Sequence, residues 1–200
     1  MKKVSKALLW FIASFIVFHV ILLIMWGEKN EYWYLYTGIM LIAGISYVFY
    51  QRDIESKRLL TSIGYGIITA ILLILCQLIF AAINSDVKYA ELIKMLSKTG
   101  VYFKWQMLVT LLVVIPCHEL YMRTVLQKYL IHLHIPQWIS VTVTALASAS
   151  LFFYLDNTPL LIFIFIAQLI LSISYLFTRR IATTIVAQIM AIVVLLIFHG

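Results

Sequence analysis

Seven apolar runs, each long enough to cross a bilayer as a helix, follow one another along this chain: residues 7–26, 32–50, 59–83, 101–131, 138–155, 160–177 and 181–198. The hydrocarbon core of a membrane takes about 20 such residues per helix. The fold class is therefore all-α, a polytopic bundle of about seven transmembrane helices that is multi-pass in a cell membrane and takes the lipid bilayer as its solvent. Composition agrees with this. Hydrophobic residues make up 64% of the chain and charged residues 12%; a soluble domain holds roughly 45–50% apolar and about 25% charged residues.

The length suits a single membrane domain, 1–200, undivided by any linker, low-complexity run or repeat. The first run follows Lys2, Lys3 and Lys6 and precedes Gly27-Glu28-Lys29. No small-residue cleavage pattern follows it, so it reads as a retained signal anchor. Residues 84–100 form the one sizeable loop. Asn84, Ser85 and Asp86 supply a helix start; Tyr89, Leu92, Ile93 and Leu96 then share one helical face, and Lys88, Glu91 and Lys98 another. The expectation is a short amphipathic helix in the interface, packed on the bundle. The fourth run is too long for one perpendicular span, and Pro116 should kink it. In the fifth run Ser140, Thr144 and Ser148 recur every four residues, as do Ala145 and Ala149. Lipid gives helices no hydrophobic reason to associate, so small faces that permit close approach mark this helix as central.

The formal charge is +7, but the charges lie between apolar runs and form no long basic patch, so nucleic acid is not an expected partner. Their distribution orients the chain instead. With the N-terminus inside, Lys2, Lys3, Lys6, Arg52, Lys57, Arg58, Arg123, Lys128, Arg179 and Arg180 are inner, and Lys29, Lys88, Lys94, Lys98 and Lys104 are outer. That bias places the N-terminus in the cytoplasm and the C-terminus outside.

Ionisable side chains within membrane segments cost about 2.5–3.5 kcal/mol each at a helix centre on insertion scales. Here they gather in the fourth run as His118, Glu119 and Arg123. Glu119 and Arg123 are four residues apart, acid first, and share a face; His118 points about 100° away. The residues alone leave two readings open: an ion pair that fixes packing, with His118 bonded to a neighbour, or a chemical site. A His-Glu-x-x-His zinc site would need a histidine where Met122 stands. Cys76 and Cys117 lie in apolar runs, His132 and His134 in a turn, and His19 midway along the first run as a packing residue. No ligand set has suitable spacing, so neither a metal nor a cofactor is expected. Gln77, Gln106, Gln168 and Gln188 are helix-interior amides suited to interhelical hydrogen bonds.

The segment Pro116-Cys117-His118-Glu119-Leu120-Tyr121-Met122-Arg123 resembles the Glu-Glu-x-x-x-Arg motif of the CPBP family, the CAAX proteases and bacteriocin-processing enzymes also called Abi proteins. At the distance where that family has a Ser-rich stretch and Phe-x-x-x-His, the chain has Ser148-Ala149-Ser150-Leu151-Phe152-Phe153-Tyr154-Leu155-Asp156. Tyr175-Leu176-Phe177-Thr178-Arg179-Arg180-Ile181 then matches the family's third turn and leads to Gln188. The resemblance covers residues 101–200. It implies a CPBP-like bundle whose pocket is lined by the fourth, fifth and seventh runs. It also implies an intramembrane glutamate-type endopeptidase acting on a membrane-associated peptide such as a bacteriocin, a pheromone precursor or a prenylated tail. In such a site Glu119 is the base, Arg123 its partner, and His118 or Gln188 a donor. The departures imply the alternative. His118 stands for the first Glu, Asp156 for the second-motif His, Gln188 for the third-motif His and Ile192 for Asn or Asp. An inactive relative that binds and regulates a membrane-protein partner would tolerate these changes. His118 and Asp156 exchanging residue types would restore a permuted site. Against this, Glu119 lies about 22 Å up its helix and Asp156 about 30 Å up the next, and Asp156-Asn157-Thr158-Pro159 also reads as an ordinary polar turn.

The orientation is tested by reporter fusions after Arg58, Lys94 and Arg180, which should read inside, outside and inside; any other order overturns it.

Overall fold

The computed structural model describes residues 6–50 and 59–199. Among them are eight helices: α1 Lys6–Ile24, α2 Tyr32–Tyr50, α3 Leu59–Ile83, α4 Tyr89–Lys98, α5 Lys104–His132, α6 Gln137–Ser150, α7 Thr158–Thr178 and α8 Ile181–His199. Six of these, all but α2 and α4, are long and apolar enough to cross a membrane, α6 together with the turn that follows it. The uncharged 19-residue α2 is the seventh long helix, so each apolar run is a helix. Lys2, Lys3, Arg52, Lys57 and Arg58, which carry much of the charge bias, lie outside the described residues.

The breaks between helices have local causes. Asn84 Oδ1 accepts the Asp86 N–H at 3.0 Å and starts the turn toward α4. Gly100, at φ +99°, reverses the chain after α4, in a left-handed conformation that glycine adopts without a Cβ penalty. There the Val101 N–H returns to the Leu96 carbonyl at 3.0 Å, so a helix-terminal carbonyl is satisfied. Asn157 Oδ1 caps α7 by accepting the Leu160 N–H at 3.0 Å, with Pro159 in the first turn where its missing N–H costs nothing.

The fourth run is one continuous helix, α5, that widens on either side of Pro116 into π-helical turns, Thr110–Val114 and Leu120–Gln127. The Ile115 N–H reaches back five residues to Thr110 O, and the Lys128 N–H five to Arg123 O. A wide turn absorbs the missing proline donor and the ring's clash with the preceding turn. α5 is the most enclosed of the six candidate spans at 56% buried, and α6 with its following turn is next at 39%. The small-residue face of α6 is buried as expected, with Ser140, Thr144, Ala145 and Ser148 at 0% exposure, and it lies against α5 and α7.

The apolar core has two parts. Phe18, Leu22, Met40, Tyr121 and Met122 join α1, α2 and α5; Ala70, Leu73, Leu171, Ala187 and Ala191 join α3, α7 and α8. On α2 the packed face is Tyr36, Met40, Ala43 and Gly44, spaced by helical turns. Gly44 meets α5 so closely that a Cβ there would lie 2.5 Å from Cys117 Sγ. Outward faces stay apolar toward the lipid, as at Ile68, Ile71 and Ile79 of α3.

Gly44→Val should therefore force α2 away from α5. Overpacking a fitted contact costs about 1–3 kcal/mol. Gly38→Val is the matched control, since a Cβ there meets nothing within 4 Å. Thermal unfolding in detergent should show a lower Tm for Gly44→Val than for Gly38→Val; equal values would refute the close contact.

Candidate functional site

In lipid, a fully enclosed guanidinium must find its partners within the bundle. Arg123 is 0% exposed and does so. Its Nε donates to Glu119 Oε2 at 3.1 Å and its Nη1 to Ser172 Oγ at 2.6 Å. Nη2 donates to Gln168 Oε1 and, at 3.4 Å, to the Gln168 carbonyl. One turn on, Gln127 Nε2 donates to the Ser172 carbonyl at 2.8 Å, and Ser140 Oγ donates to the Gln127 carbonyl at 3.4 Å. A polar ladder thus ties α5 to α6 and α7 through groups that have no water to turn to.

Glu119 is also 0% exposed. Only one of its oxygens is engaged by Arg123; Oε1 accepts no hydrogen bond among the described residues. The group facing Oε1 is His118, whose Nδ1 lies 3.7 Å away, and whose Nε2 is 2.8 Å from Ser148 Oγ. If the serine hydroxyl donates to Nε2, the ring proton sits on Nδ1 and faces the free carboxylate oxygen. The small-residue face of α6 permits this approach, because any larger side chain at Ser148 would fill the space of the imidazole. Tyr36 and Phe152 flank the His118 ring, with centroids at 6.3 and 6.4 Å.

Above this cluster lies an apolar cavity of about 290 Å³. Tyr36 and Phe152 belong to its wall, α8 contributes Ile192, Leu195 and Leu196, and the apolar face of α4 roofs it through Leu92 and Leu96. A second, polar cleft of about 240 Å³ holds Lys29, Lys94, Lys98, Glu91 and Asp156 and shares Met95, Thr99 and Leu155 with the first. The amphipathic helix expected from residues 84–100 is therefore α4, with its apolar side toward the bundle over a cavity and its charged side at a polar mouth.

The structure brings His118, Glu119 and Arg123 together and leaves Asp156 apart. Asp156 is in a left-handed turn, exposed, and paired with Lys29 at 3.3 Å. It is an ordinary turn residue at the mouth, and the permuted pairing with His118 has no geometric basis. Gln188 is half-buried on α8, the helix that packs on the Ile115–Glu119 stretch of α5, and its Oε1 accepts no hydrogen bond among the described residues. His19 is a packing residue, 2.8 Å from the Tyr154 hydroxyl and 3.2 Å from Ser150 Oγ. Among the described residues no three His, Cys, Asp or Glu side chains converge as a metal site would require.

Two residues of the cluster, Ser172 and Tyr36, are not singled out in the sequence argument, and Gln168 reads there only as an interhelical amide. The signal for Gln168 and Ser172 is their spacing: two polar residues four apart in a largely apolar helix face the same way. Tyr36, among the many aromatics of α2, carries no such signal. The seventh run contributes apolar wall, while the sixth supplies the polar contacts to Arg123.

A model of the family described as type II CAAX prenyl endopeptidase, Rce1-like, matches residues 100–194. No curated protein and no solved structure matches the chain.

The Glu119–Arg123 pair should behave as a unit. Removing one partner of a buried pair typically costs about 3–5 kcal/mol, because the other charge is left uncompensated. Glu119→Leu and Arg123→Leu should each destabilise the protein more than the double substitution does, read as thermal unfolding in detergent at matched membrane levels. Additive losses would show that the two residues do not form a coupled pair.

Proposed function

Because residues 100–194 match the family model described as type II CAAX prenyl endopeptidase, Rce1-like, within a multi-pass membrane bundle, we propose that the protein is an intramembrane glutamate-type endopeptidase that cuts a membrane-associated peptide. The observation that carries this reading is the half-engaged carboxylate of Glu119. One oxygen is fixed by Arg123 at 3.1 Å; the other is buried, without a hydrogen bond among the described residues, beside His118. A carboxylate held in this way is oriented by its ion pair and keeps one oxygen to take a proton.

In the proposed reaction Glu119 Oε1 takes a proton from water as the water oxygen attacks the scissile carbonyl carbon. The tetrahedral intermediate then collapses. Its C–N bond breaks, and the proton held by Glu119 passes to the leaving amine. Arg123 holds the carboxylate and aims it. His118, fixed by Ser148, orients the water or the peptide. The apolar cavity suits the hydrocarbon part of a lipid-modified peptide, and the polar cleft at its mouth suits the peptide backbone and charged ends.

A second reading has its own observation. Asp156, which the resemblance aligns with a family histidine, is exposed at the mouth and paired with Lys29. By the same resemblance Gln188 and Ile192 stand at the other family positions. A relative that retains the fold and binds a membrane-protein partner without cutting it accommodates these replacements.

The readings separate in lipid vesicles that contain the purified protein and a quenched fluorescent, farnesylated peptide with a CAAX-type end. Glu119→Gln preserves shape and most hydrogen bonding but removes the base, so cleavage should fall ~10²–10⁴-fold. Full activity in that variant, with matched folded protein, rules out Glu119 chemistry and leaves the partner-binding reading.

A further inference from the structure

We infer that Tyr36 is a catalytic residue of this site, its hydroxyl donating the hydrogen bond that stabilises the oxyanion of the tetrahedral intermediate. The inference rests on the endopeptidase reading above and adds a group from α2, outside residues 100–194.

Peptide hydrolysis places negative charge on the former carbonyl oxygen, and in an apolar cavity that charge needs a donor in place before the reaction begins. The wall contributed by α8 offers none: Ile192, Leu195 and Leu196 are apolar. The cavity's other polar groups are largely committed. The Tyr32 hydroxyl donates to the Leu151 carbonyl at 3.0 Å and Trp33 Nε1 to Thr110 Oγ1 at 2.9 Å. Thr99 Oγ1 donates to the Leu96 carbonyl and Thr110 Oγ1 to the Gln106 carbonyl, each at 2.8 Å. Tyr36 makes no such bond among the described residues.

Its position fits the role. Tyr36 lines the apolar cavity and its ring lies 6.3 Å from that of His118. That imidazole's Nδ1 lies 3.7 Å from Glu119 Oε1, so base and donor are neighbours of the same ring. The ring is held on both sides, stacked on Tyr32 at 5.7 Å and packed on Phe152 at 5.2 Å. The backbone beneath it is fixed by the close approach at Gly44. A donor held this firmly pays no reorganisation when charge develops. In the reaction the hydroxyl keeps its proton: it donates while the carbonyl oxygen is negative, and the bond weakens when the C–N bond breaks and the carbonyl returns.

Tyr36→Phe removes only the hydroxyl and keeps the stack. In the vesicle assay kcat should fall ~10²–10³-fold with KM within about threefold, as for loss of one oxyanion donor. A phosphinate isostere of the same peptide, whose tetrahedral anion resembles the intermediate, should lose affinity for the variant by a comparable factor, while the cleaved product binds both proteins alike. A structural role would not separate those two ligands. Wild-type cleavage with unchanged kcat in Tyr36→Phe, or equal phosphinate affinity, overturns the role of Tyr36 alone. A wild-type protein that cleaves nothing overturns the endopeptidase reading and this role with it.

Discussion

A guanidinium sealed at 0% exposure in the middle of a membrane bundle constrains everything around it. Water cannot solvate it, and an unpaired charge there costs several kcal/mol even after relaxation. Arg123 must therefore be surrounded by acceptors, which come from three places: the carboxylate of Glu119 on its own helix, and Ser172 and Gln168 on α7. Helix packing in lipid has little hydrophobic drive, so these directional bonds fix which face of α7 meets α5 and at what height. The small-residue face of α6 fills the remaining side because only small residues let the three helices close around the polar ladder.

The same demand leaves Glu119 half engaged. Glu119 has one oxygen tied to Arg123 and one turned toward His118. The π-helical turns of α5 belong to this arrangement. They flank the Ile115–Glu119 stretch that carries Pro116, His118 and Glu119, and the second runs through Arg123, so the regular ladder is relaxed on either side of His118 and Glu119. Wide turns of this kind recur at functional sites because they redirect side chains that a regular helix would place elsewhere.

Much of this was legible in the residues. Apolar run length determines the helices, since the bilayer fixes how many residues a span needs, and every run became one. The site's centre was legible for the opposite reason: polar atoms in lipid are expensive, so His118, Glu119 and Arg123 stand out against their surroundings. Asp156 shows where that logic fails. At a helix end the cost disappears, a carboxylate is merely a turn residue, and matching a motif position to it said nothing about depth. Pro116 signals a disturbance of the fourth run through its missing donor, and the helix carries π-helical turns on both sides of it. Tyr36 was invisible because one tyrosine among several in an apolar helix differs from its neighbours only by what it faces, and that is set by a contact eight residues away at Gly44.

That last dependence says something about how the two halves of the chain divide the work. Residues 100–194 hold the ion pair, His118 and its serine, yet they do not enclose the cavity above them. One wall is α2 and the roof is α4, both from the preceding half. The position of α2 depends on the absence of a single Cβ. With Gly44 against Cys117, the face Tyr36, Met40 and Ala43 seats on α5 next to His118; a larger residue at 44 would lift that wall while leaving every motif residue unchanged. The charged chemistry can therefore be intact in sequence and still be addressed by a cavity of different shape. In this fold the half that matches the family model carries the Glu119–Arg123 pair, and the preceding half shapes the cavity beside His118.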